Sequence, residues 1–150
     1  GYTRVSDDRY VMAIAKDNPL TRKAYSKPGF AHLFLDPALA AEQQFILAHP
    51  QQRVRQISDR ILRHAGIVPK IRLETSSIQS ALCFASNDLG ITFAPESYIP
   101  LFNAQKELAY FYLEDKYEAF WTFCVAYPQN VTPSTPARFF LQETQRLFGR

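Results

Sequence analysis

The sequence predicts an α/β domain with a mixed, mostly parallel sheet, and three observations point there. Between Gln44 and Pro95 short apolar runs alternate with helical patterns in the order strand, helix, strand, helix, strand. Such alternation lays successive strands side by side and carries the chain between them through helices. The apolar runs are brief and bounded by turn residues, as buried strands are. Finally, 150 residues that are 47% hydrophobic and 21% charged hold enough apolar mass for a core, which excludes a disordered chain.

Each element has its own warrant. Tyr10 to Ala15 is an apolar run closed by Lys16-Asp17-Asn18-Pro19, a strand and a turn. Thr21 to Gly29 is basic and polar, a loop, and Asp36-Pro37 opens a short helix. Gln44 to Ala48 is a second strand, stopped by His49-Pro50. A helix follows to about Ala65, with Val54, Ile57, Ile61 and Leu62 at helical spacing. Arg53, Arg55, Asp59, Arg60 and Arg63 fall mostly on the other side, as a solvated face, and Gly66 supplies the left-handed cap.

Ile71 to Thr75 alternates like a strand, and Thr75-Ser76-Ser77 offers hydroxyls to cap a second helix through about Ser86. A turn at Asn87-Asp88 precedes a strand at Gly90 to Ala94, broken by Pro95. Leu108 to Leu113 and Phe120 to Tyr127 are aromatic-rich strands for which a hairpin is possible but not required. Ser134-Thr135-Pro136 opens a last helix with Phe140, Leu147 and Phe148 on its apolar face.

Composition removes several function classes. The cysteines, Cys83 and Cys124, are far apart in apolar settings, which predicts buried, reduced thiols rather than a disulfide or zinc site. No apolar run approaches a membrane span, and the start carries no signal-peptide pattern, so a soluble cytoplasmic protein is expected. The basic residues are scattered, which gives no footprint for nucleic acid. The histidines have no metal spacing, no nucleophile elbow or Gly-rich phosphate loop is present, and the carboxylates are dispersed. An enzyme is therefore not expected, nor any cofactor or metal.

From Arg55 to Pro95 the chain resembles the effector-binding domain of LysR-type transcriptional regulators. The likeness rests on Arg55 and Asp59, then Gly66-Ile67-Val68-Pro69, Leu73-Glu74, a helix, Leu89-Gly90-Ile91 and Pro95, in the family's order and at its intervals. Asp17-Asn18-Pro19-Leu20 looks like the family's His-Pro-Leu segment. Asp88 stands where the family usually has Gly, and Phe93-Ala94 replaces a pair of aliphatics.

The resemblance implies a periplasmic-binding-protein type 2-like fold of two Rossmann-like lobes with an effector between them. On that footing residues 8–118 form lobe two, and residues 119–150 supply a strand and helix of lobe one. The winged helix-turn-helix and most of lobe one are absent from the sequence as read. The implied partners are a small, anionic or aromatic effector, a second copy of the protein (a dimer, or a tetramer when full-length), and DNA only through the absent segment. A solute-binding protein of a transport system shares the fold and is the alternative; a small-molecule enzyme is the alternative from another class. The relatives that sense peroxide carry two cysteines close together in lobe two, which this chain does not.

Ligands of open α/β sheets sit beyond the carboxyl ends of strands, where helix N-termini present unpaired N–H groups. Three segments qualify. His49-Pro50-Gln51-Gln52 would suit an anion through amide side chains and backbone N–H groups, or is an ordinary capping turn. Thr75-Ser76-Ser77 has more hydroxyls than one cap needs. Gly90-Ile91-Thr92 combines close approach at Gly90 with the Thr92 hydroxyl, against a plain packing role. Arg53 and Arg55 could steer an anionic effector but read as a solvated helix face; His32 and His64 read as surface residues, and Phe120, Trp121 and Phe123 as core or dimer contact rather than a ligand cage.

Overall fold

The computed structural model describes residues 1–101 and 107–149. It divides into two compact units, residues 9–119 and residues 1–8 with 120–150.

The larger unit carries the alternation expected from the sequence. After the second half of β1 (Tyr2–Ala15) come β2 (Gln44–Ala48), α1 (Arg53–His64), β3 (Lys70–Thr75), α2 (Ile78–Ser86), β4 (Thr92–Pro95) and β5 (Leu108–Phe111). β2 and β3 are parallel, and a parallel bridge Phe45–Ile91 joins β2 to the strand leading into β4. β1 lies between β4 and β5 and is antiparallel to both, with Met12 opposite Phe93 on one side and Phe111 on the other. The strands thus form two sheets, β4-β1-β5 with antiparallel pairing and β2-β3 with parallel pairing, linked by that isolated bridge just before β4. The expectation of a mostly parallel sheet came from the alternating segment alone, and β1 precedes that segment.

The core follows the strand runs. Tyr10 to Ala15 are all buried, as are Phe45, Ile46 and Leu47. Against one face pack Ala81, Leu82 and Ala85 of α2, grouped with Ala13, Ile46, Ala94 and Leu108. α1 buries Ile57, Ile61 and Leu62, the stripe its spacing predicts. It ends where Gly66, at φ +70°, lets its N–H reach the carbonyl of Arg63 and the Ile67 N–H reach Leu62. Those two bonds satisfy carbonyls that every helix end leaves orphaned. α2 ends alike, with Asp88 at φ +56° in the left-handed role, and the N–H groups of Asp88 and Leu89 bonded to Ala85 and Phe84.

In the smaller unit β6 (Phe120–Ala126) pairs with β1, and α3 (Thr135–Phe148) starts where the Ser134 hydroxyl accepts from the Ala137 N–H. β5 and β6 form no hairpin; each pairs with β1 instead. β1 extends eight residues before Tyr10 because pairing, not apolar character, makes Tyr2 to Arg9 a strand. Within this unit the indole N–H of Trp121 donates to Asp8 at 3.1 Å and the Thr122 hydroxyl to Asp7 at 2.7 Å. Phe139, Phe140, Leu147 and Phe148 on α3, and Phe120 and Phe123 on β6, are exposed.

Three expectations are corrected. Cys83 and Cys124 are both exposed, because each sits at a solvent-facing position of its element despite apolar neighbours in sequence. Arg55 is buried, not part of a solvated face, because partners from other elements meet it there. His32 is half-buried, its ring edge-on to Tyr112 at 5.1 Å. Among the described residues no helix is long and apolar enough to cross a membrane, and no three His, Cys, Asp or Glu side chains are grouped to hold a metal.

Candidate functional site

Parallel pairing of β2 and β3 brings their carboxyl ends level, Ala48 beside Thr75, so the segments leading into α1 and α2 start next to one another. Between them lies a cavity of about 80 Å³. Gln52, Thr75, Ser76, Ser77, Ser58 and Thr92 give it polar lining; Ala48, Val54, Ile78, Ala81 and Phe93 give it apolar lining.

The polar groups are held by local bonds. Gln52 is the cap residue of α1, yet its side chain makes no capping bond to that helix. Its Oε1 accepts from the His49 N–H at 3.2 Å, and its Nε2 donates to the Ser76 carbonyl at 3.1 Å. One carboxamide thus ties the turn before α1 to the turn before α2. Ser77 caps α2, its hydroxyl accepting from the Ser80 N–H at 3.2 Å, and Thr75 Oγ1 accepts from the Ser77 N–H at 3.2 Å. The Ser58 hydroxyl donates to the Val54 carbonyl at 3.0 Å. Ser76 projects a hydroxyl that none of these bonds uses.

The backbone bonds leave donors over. Among the described residues, the N–H groups of Arg53 and Val54 in α1, and of Ile78 and Gln79 in α2, meet no acceptor. They are the orphan donors of two helix starts, where the peptide dipoles concentrate positive potential. Two such ends facing one small cavity favour a negatively charged group, and hydroxyls and an amide supply directional contacts.

Arg55, which is not among the cavity's lining, links three elements. Its Nε donates to Asp59 at 2.9 Å, and its Nη1 to the Ala48 carbonyl at 2.8 Å and to Glu74 at 3.3 Å. Burial works to lower the guanidinium pKa; hydrogen bonds and charge from Asp59 and then Glu74 outweigh it, leaving the value above the ordinary arginine range. His49 Nδ1 lies 3.7 Å from the other oxygen of Glu74.

Of the residues singled out in sequence, Gln52, Thr75, Ser76, Ser77 and Thr92 come together around the cavity. His49 adjoins it through its N–H, while the exposed Pro50 and Gln51 are not among its lining. Gly90 does not join them. It sits at the amino ends of β2 and β4 in an open polar groove of about 350 Å³ with Arg72, Asp88 and Gln44. There the Gly90 hydrogen faces the Gln44 carbonyl, which an added Cβ would approach to 3.0 Å. Glu74 and Ser58 were missed as site residues, and the sequence reads Arg55, weighed as a group that could steer an anion, as part of a solvated face. The four-residue spacing of Arg55 and Asp59 signals a helical pair, but the link to Glu74 follows only from the strand pairing.

An α/β lobe whose parallel strands end at a cavity flanked by helix N-termini defines a small-ligand-binding domain, here of the periplasmic-binding-protein type 2-like fold. The LysR substrate binding domain family matches residues 1–149, and the chain belongs to that family. Among solved structures, the Synechocystis PCC6803 CcmR regulatory domain in complex with 2-PG aligns with TM-score 0.78 at 17% identity, over 99% of this chain and 66% of that one. The BenM effector binding domain with its effector benzoate aligns with TM-score 0.72 at 24% identity, over 98% and 62%. The effector binding domain of QuiR in complex with shikimate aligns with TM-score 0.70 at 18% identity, over 99% and 65%. At these identities the likeness is one of fold, and the chain spans less than two thirds of the length of the BenM and QuiR domains. A sequence search of curated proteins returns no match.

Proposed function

We propose that this chain is the effector-sensing part of a LysR-type transcriptional regulator and that the cavity before α1 and α2 takes the anionic head of a small metabolite. The observation that carries this is the pair of helix starts, with unbonded N–H groups and the Ser76 hydroxyl, in a domain of this family. The benzoate and shikimate bound by two relatives are carboxylates, which supports the same ligand class.

In this reading residues 8–118 serve as lobe two, residues 119–150 belong to lobe one, and the effector-contacting groups are Gln52, Thr75, Ser76, Ser77 and Thr92, with the His49 segment beside them. The role is regulatory rather than catalytic, and the protein works in the cytoplasm. Effector binding shifts a population of regulator conformations, and a separate segment meets DNA. The exposed aromatics of α3 and β6 support self-association of the protein.

A thermal-shift screen of small carboxylates, each beside its uncharged amide, tests the reading on the full regulator. At least one carboxylate should raise the melting temperature while its amide does not. Equal stabilisation by the amides would overturn the anion site.

A further inference from the structure

We propose that Arg55 is the positioning residue of the anion site: from outside the cavity's lining it sets the spacing of the two turns that wall it, without touching the ligand. This rests on the effector-site reading above. Its guanidinium holds the last carbonyl of β2, at Ala48, the last carboxylate of β3, at Glu74, and Asp59 one helical turn along α1. The chain leaves β2 at Ala48 for His49 and Gln52, and leaves β3 near Glu74 for Ser76 and Ser77. Gln52 also bridges those two turns, at 3.2 Å to the His49 N–H and 3.1 Å to the Ser76 carbonyl. The carboxamide bridge closes only if the strand ends that lead into the two turns are at the right separation.

The arrangement asks for an arginine. Three acceptors lie in different directions around one planar group, and a lysine ammonium at the end of a flexible stem reproduces the charge but not the fork. Asp59 and Glu74 supply two negative charges around the one guanidinium, so Arg55 adds little net field at the cavity. Its contribution is geometric.

The experiment compares the chain with its Arg55→Lys, Glu74→Gln and Arg63→Gln variants by amide hydrogen exchange and by titration with inorganic phosphate. Arg63 is exposed on the same helix, and its replacement removes a charge without touching the cavity. With the carboxamide bridge loosened in Arg55→Lys, exchange of the His49 N–H rises by about tenfold or more while that of the Gly66 N–H, at the far end of α1, stays unchanged. General destabilisation would speed both, and that result, or an unchanged His49, overturns the proposal. If Arg55→Lys does not fold, Glu74→Gln, whose side chain is partly solvated, must show the same selective effect in smaller measure.

Phosphate should shift the Val54 and Ile78 amide resonances of the wild-type chain, with affinity weaker by roughly tenfold in Arg55→Lys and little changed in Arg63→Gln. Lost affinity in Arg63→Gln with none lost in Arg55→Lys would mean that net charge, not position, governs, and would overturn it too. No response of the wild-type chain to phosphate counts against the anion site itself, and the exchange data then decide the role of Arg55 alone.

Discussion

Replacing Ser76 and Ser77 one at a time by alanine separates a hydroxyl that builds the protein from one that serves it. Ser77 caps α2: its Oγ takes the Ser80 N–H at 3.2 Å. Loss of such a cap costs about 1 kcal/mol, which for a unit of this size lowers the melting temperature by roughly 3–6 °C. The Ser76 hydroxyl lines the same cavity but makes none of the turn's hydrogen bonds, while the Ser76 carbonyl, which holds Gln52, survives the change. Ser76→Ala therefore alters stability by less than about 0.5 kcal/mol. If the cavity binds an anion, losing one charge-assisted hydrogen bond of about 1.5–3 kcal/mol weakens binding by roughly 10- to 100-fold. Urea denaturation of the chain reads the first quantity; thermal shift of the full regulator against a carboxylate reads the second. Equal stability losses in the two variants, or wild-type affinity in Ser76→Ala, would refute the division of labour.

Three further outcomes are expected. The phenol of Tyr25 is pushed up to about 12 by its hydrogen bond to Glu114 and then by burial, and that of Tyr112 to about 12 by burial and then by its bond to Glu96. Folding favours the neutral phenols, so their contribution is whole below the unfolded-state value near 10 and is lost as pH rises from there through about 12; tyrosinate absorbance should show these two ionising late and stability falling over that interval. Both thiols being exposed, a thiol reagent should label Cys83 and Cys124 in the native protein without denaturant, and mass spectrometry counts the adducts. Asp88 holds φ +56° at the end of α2, where glycine carries no Cβ penalty, so Asp88→Gly should raise stability by about 0.5–1 kcal/mol in denaturant melts.

What could be read in the sequence is what local chemistry decides. The stripe of α1, the Gly66 stop, the hydroxyl caps at Ser77 and Ser134, and the tolerance of Asp88 for a left-handed turn all depend on residues within a few positions of one another. The first half of β1 was not legible, since Thr3-Arg4-Val5-Ser6-Asp7-Asp8-Arg9 carries no apolar run and becomes a strand only through its pairing. Nor was the direction of β1, which local pattern does not encode. Arg55 is the instructive case. As one charge among several on a helix it looked solvated, and its burial depends on Glu74, which the parallel register of β2 and β3 carries to it across nineteen positions.

The bonding of the site bears on how it can work in a regulator. The Gln52 carboxamide accepts from His49 and donates to Ser76, and Arg55 holds the strand ends, so on the proposed function an anion would meet N–H groups without breaking either tie. A preorganised site of this kind is inexpensive to occupy, but a ligand shifts an equilibrium only by its differential affinity for the two states. On the proposed function, these contacts form alike in every conformation of the regulator that leaves the cavity open, so discrimination between states falls to groups outside residues 9–119. Ser76→Ala should then weaken affinity for both states equally: the effector concentration for half-maximal response rises by roughly 10- to 100-fold, and the maximal response stays at its wild-type level. A reporter assay across effector concentrations reads both numbers, and a reduced maximum at saturating effector would mean that the cavity itself distinguishes the states.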